Sequence, residues 1–66
     1  MNYLLEALCA KLEGEIAVAK ANVMVYQRNS AGIGEHSDIV ESIETQIGKI
    51  AEAEDKLETV KKHFKN

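Results

Sequence analysis

One interruption governs what this chain can become. Its 66 residues contain no proline, and helical periodicity breaks only at Asn29-Ser30-Ala31-Gly32-Ile33-Gly34-Glu35-His36-Ser37-Asp38. Two glycines two apart, with Asn and Ser before them, are loop punctuation. The segments on either side both repeat apolar residues at spacings of three and four, the mark of amphipathic helices. The expectation is an all-α chain in one helical-hairpin domain, residues 1–66, with helix 1 over about 2–29, a loop over about 30–37 and helix 2 over about 38–64. At about 1.5 Å rise per residue, each helix runs on the order of 40 Å. A short loop between helices of matched length makes them antiparallel neighbours.

Helix 2 is signed at both ends. Ser37 or Asp38 can cap its start, and with Asp38 in that role Glu41 stands at the capping-box position. Acids crowd its first turns (Glu35, Asp38, Glu41, Glu44) and bases its last (Lys61, Lys62, Lys65), both suiting the helix dipole. Glu52–Lys56 and Glu58–Lys62 have the spacing of helical ion pairs. Its apolar positions form one narrow stripe: Ile39, Ile43, Ile47, Ile50, Ala53, Leu57, Val60 and Phe64. This helix has one dry side and one wet side.

Helix 1 differs. Placed at about 100° per residue, Leu5, Leu8, Leu12, Ile16, Ala19, Val23 and Tyr26 form the stripe that helix 2 would cover. Nearly opposite lies a second stripe: Tyr3, Ala7, Ala10, Gly14, Ala17, Val18, Ala21 and Val25. Polar residues keep to the two borders between the stripes. Glu6, Glu13, Lys20 and Gln27 recur every seven residues along one border, and Lys11, Glu15 and Asn22 mark the other. A helix apolar on two opposed sides is not satisfied by one partner helix. An Ala-rich face can also be a solvated surface chosen for helix propensity, but Tyr3, Val18 and Val25 are poor choices for that purpose.

Size sharpens the point. A domain this short buries only about 60% of the surface of its unfolded chain, and the usual remedies are disulfides, metals or association. Cys9 is the only cysteine, so no disulfide can form within the chain. His36 and His63 lie far apart, with no second thiol to complete a zinc set. Association is the remedy left. The net charge of −3 and the single arginine, Arg28, argue against a nucleic-acid partner. The acidic excess lies wholly in the second half, where residues 34–66 carry eight acids and five bases against three of each in residues 1–33. The most apolar run, Ile16 to Tyr26, is broken by Lys20 and Asn22 and is too short to span a bilayer. The N-terminus lacks the basic region of a secretory signal, so a cytoplasmic location is expected.

Candidate chemistry is thin. Gly32-Ile33-Gly34 before a helix start lacks the third glycine and the Gly-Lys-Ser/Thr ending of a phosphate loop, and follows a helix rather than a strand. It reads as a helix stop and turn. Glu35, His36 and Asp38 could offer metal ligands, but neighbouring loop residues seldom converge on one ion and no fourth ligand is evident. Cys9 borders the leucine stripe as a small buried hydrophobe, with no adjacent base to lower its pKa. His63 stands among the closing lysines, and a Cys9–His63 dyad is disfavoured by side-chain direction. Lys61-Lys62-His63-Phe64-Lys65 is a small basic end that reads as a solvated helix terminus. No nucleophile, base and oxyanion donor come together. No catalytic residue, cofactor or metal is therefore assigned, and the chain is not expected to be an enzyme.

Gly32-Ile33-Gly34-Glu35-His36-Ser37-Asp38 leading into Ile39-Val40-Glu41, with Lys49-Ile50-Ala51-Glu52-Ala53-Glu54-Asp55-Lys56-Leu57, resembles small helical proteins of tailed phages of the cyanophage type. The resemblance covers about the second half of the chain. It implies a compact helical protein made in a bacterial cytoplasm and assigns no activity or site residue.

The expected function is thus a non-catalytic interaction module. The first expectation is a homodimeric four-helix bundle joined through the second stripe of helix 1. The alternative is a small adaptor or inhibitor that lays the same stripe on a heterologous host or phage protein. Truncating Leu12 or Ile47 to Ala is expected to cost about 2–5 kcal/mol as a core change.

Overall fold

The computed structural model describes residues 2–28 and 36–64. They form two helices, α1 (Tyr3–Arg28, 26 residues) and α2 (His36–Phe64, 29 residues), packed as an antiparallel hairpin measuring 48 × 15 × 12 Å. The direction shows in the contacts: Leu12 packs with Ala53 and Leu57, whereas Asn22, ten residues on, meets Gln46.

Asn2 caps α1. Its side-chain Oδ1 accepts the Leu5 amide at 2.9 Å, which satisfies a donor that a helix start leaves open, and its carbonyl accepts the Glu6 amide at 2.9 Å as the first bond of the helical ladder. α2 begins two residues before the expected start. Asp38 therefore stands within the first turn rather than at the cap, where its charge still complements the dipole. The proposed capping box from Asp38 to Glu41 is not what the helix uses. The glycine loop and Glu35 lie outside the described residues. Glu52–Lys56 forms as expected at 3.1 Å, while among the described residues no ion pair joins Glu58 to Lys62.

The core is a single seam. Leu12 is 2% exposed, and with Ala53 and Leu57 it forms the central cluster, flanked by Cys9 and Ile16. Ala19, Ile39 and Val60 are also buried. Along α1 the buried and half-buried positions run Leu5, Cys9, Leu12, Ile16, Ala19, Val23, Tyr26, with Asn22 half-buried beside Val23. Along α2 they include Ile39, Ile43, Gln46, Ile50, Ala53, Leu57, Val60. Both step alternately by four and three, the seven-residue rhythm by which paired helices keep one edge together.

That rhythm corrects two expectations. Leu8 is exposed and Cys9 takes its place in the seam. Ile47 is 51% exposed, and its expected place is held by Gln46, which is only 7% exposed. Gln46 Oε1 accepts a hydrogen bond from Asn22 Nδ2 at 3.1 Å. An unpaired amide there would be costly, and among the described residues no buried side-chain polar atom lacks a partner. Phe64 is also exposed, because the seam has run out at the end of the hairpin.

Candidate functional site

α2 covers one side of α1 and leaves the other open. All eight residues of the second stripe (Tyr3, Ala7, Ala10, Gly14, Ala17, Val18, Ala21 and Val25) are exposed. The large ones decide the character of the face: Tyr3 is 77% exposed, Val18 62% and Val25 51%. At about 100° per residue the stripe lies about 180° from the buried seam, so no twist of the hairpin brings α2 over it. A Cβ built on Gly14 would meet no atom within 4 Å. Nothing within the hairpin requires a glycine there, and glycine costs a helix interior about 0.5–1 kcal/mol relative to alanine. Its smallness matters only to something approaching from outside.

A groove of about 670 Å³ runs beside the stripe where the two helices meet. Gly14, Val18, Ala19, Asn22, Gln46 and Ala53 line it, with lysines and glutamates along its rims. Lys11 and Glu15 pair within α1 and Lys56 and Glu52 within α2. The hydrogen bond from Lys11 holds the Glu15 carboxyl below the ordinary glutamate value; desolvation opposes it, and the positive charges of Lys11 and then Lys56 add to the lowering. Both pairs are exposed, where solvent screening leaves such pairs little to contribute. The amides at the groove wall already bond to one another.

The remaining candidates stay apart. Cys9 is half-buried against the central cluster. His63 is exposed at the far end of α2, its ring edge-on to Phe64 with centroids 6.3 Å apart. Lys61, Lys62, His63 and Phe64 all face water. Asp38 is exposed, whereas Glu35 and the side chain of His36 lie outside the described residues. Among the described residues no three His, Cys, Asp or Glu side chains are grouped to hold a metal ion, and no helix is long and apolar enough to cross a membrane. Gln46 and its partner Asn22 are the polar pair that hydropathy alone misses. The alternating four-three spacing on α2 is the signal that finds Gln46, while Asn22 lies beside the corresponding rhythm of α1 and carries no such signal.

Comparison of the chain with protein families, characterised proteins and solved structures found no match.

Proposed function

We propose that the chain is a non-catalytic self-association module, a homodimer of hairpins joined through the open face of α1. The observation that carries this reading is the exposure of Tyr3, Val18 and Val25 along one straight side of a well-formed helix. A strip of that length marks an interaction site. A second copy suits it because a two-fold contact needs a surface that complements itself, and alanines around a central glycine let two identical backbones approach closely. The proposed setting is the cytoplasm, that of a bacterial host in keeping with the phage resemblance.

The test is absolute mass by light scattering over a wide concentration range, with circular dichroism at each concentration. A folded species of twice the chain mass is expected. Gly14→Leu should return it to a folded monomer, since the hairpin itself has room for the side chain. Gly48→Leu is the control: Gly48 is equally open but lies on the outer side of α2, so the dimer should persist. A parent that stays a well-folded monomer at every concentration refutes the proposal. A poorly folded monomer would instead hand the face to a heterologous protein.

A further inference from the structure

The face of α1 is palindromic in position apart from Ala17, whose mirror place about Gly14 is taken by Lys11. Tyr3, Ala7, Ala10, Gly14, Val18, Ala21 and Val25 are spaced symmetrically about Gly14: Ala10 and Val18 lie four residues from it, Ala7 and Ala21 seven, Tyr3 and Val25 eleven. The smallest residue, Gly14, stands at the centre and the bulkiest, Tyr3, at one end. Resting on the self-association proposed above, we infer that two copies of α1 pack antiparallel about a two-fold axis beside Gly14. Tyr3 of one copy then stands level with Val25 of the second, and Ala7 with Ala21.

The charged borders select this orientation. In an antiparallel two-fold pair, each border of the face meets the same border of the second copy, read in reverse. Along one border Glu6 then falls two residues, about 3 Å of rise, from level with Lys20 of the second copy, twice by symmetry and within reach of two long side chains. Along the other, Lys11 and Glu15, already paired within each helix, fall at the same two-residue offset from Glu15 and Lys11 of the second copy. One like-charge contact remains, Glu13 near its own copy beside the axis. A parallel, in-register pair does worse. It places Glu13 between Lys11 and Glu15 of the second copy, leaves Lys20 with no acid at its height and sets Tyr3 against Tyr3. The antiparallel pair thus sets four attractive contacts against one like-charge contact, whereas in the parallel pair the attraction of Glu13 to Lys11 is offset by its repulsion from Glu15.

Because the buried and open faces of α1 are opposed, the four helices stand in one layer, α2–α1–α1–α2, with the two α1 helices in the middle. The assembly is flat rather than square.

Disulfide trapping of the full chain reads the register. In a Cys9→Ala background, Ala7→Cys and Ala21→Cys are made singly and mixed under mild oxidation, with mass measured on the reduced samples. Both sites are exposed, so the hairpin tolerates them. The expected result is a cross-linked dimer from the mixture and little from either variant alone. Self-cross-linking of Ala7→Cys at dimer mass overturns the antiparallel register and leaves self-association standing. Reduced samples of monomer mass overturn both. A second test avoids cysteine. Glu6→Lys or Lys20→Glu alone should weaken the dimer by roughly three- to tenfold, as exposed charge pairs do. The double reversal should restore it. If the double variant is as weak as the singles, Glu6 and Lys20 do not meet and the inference fails.

Discussion

The amide pair in the apolar seam gives the sharpest test of how the hairpin is held. Gln46 is nearly sealed, whereas Asn22 is only half-buried, so the two halves of the pair are unequal. Asn22→Ala strands the sealed partner, and an unsatisfied buried amide costs about 1–3 kcal/mol. Alanine returns up to about 0.7 kcal/mol of helix propensity, leaving a net loss of about 0.5–2.5 kcal/mol. At about 4–8 °C per kcal/mol for a domain of this size, Tm should fall by about 2–20 °C. Gln46→Leu, close in volume, strands only Asn22, which can turn to water, and should be nearly neutral. Combining Gln46→Leu with Asn22→Ala should recover most of the loss. The assay is thermal unfolding by far-UV circular dichroism at one fixed protein concentration, since association raises apparent stability. If Asn22→Ala melts with the parent, or the second substitution restores nothing, the bond does not hold the seam and the reasoning is wrong.

Three other outcomes follow from the same geometry. Leu12→Ala should lose about 2–5 kcal/mol of the roughly 3–10 kcal/mol available to a chain of this length, while Ile47→Ala should lose less than about 1 kcal/mol because that side chain is half in water; denaturant titration of both variants separates the two. Gly48→Ala should gain about 0.5–1 kcal/mol with no change in association, because its Cβ enters open space. The Glu15 carboxyl titrates below the ordinary glutamate value, so its contribution is complete above that value and fades as pH falls through its lowered one. Lys11→Met should move its NMR titration midpoint upward.

Much of this architecture could be read from the residues. The glycine-bearing break divides two periodic segments, and the structure places α1 and α2 on either side of it. Leu12, Ile16, Ala19, Val23 and Tyr26 lie in the seam as the helical wheel implies. The errors share a physical origin. Ranking residues by hydropathy favours Ile47 over Gln46 and Leu8 over Cys9, but position in a two-helix seam is set by the four-three step and not by which neighbour is greasier. A sealed glutamine contradicts hydropathy until its partner is known, and Asn22 lies 24 positions away. The open face was legible because it needed no partner to define it: two stripes on one helix cannot both face the same neighbour. Its occupant was not legible, since a lone stripe carries no record of what covers it. The symmetry about Gly14 and the charges beside it narrow that choice.

The Asn22–Gln46 bond has a mechanical consequence. Two long helices joined by an apolar seam with a uniform rhythm can slide past each other by a whole repeat and still bury carbon against carbon. The amide pair marks one register among its near neighbours, because a slip of three residues sets Gln46 against Ala19 or Val25, which offer it no side-chain hydrogen bond. The pair therefore favours one length of hairpin over those a few residues longer or shorter. Replacing the pair with hydrocarbon could give a protein that melts no lower and yet no longer has a single length.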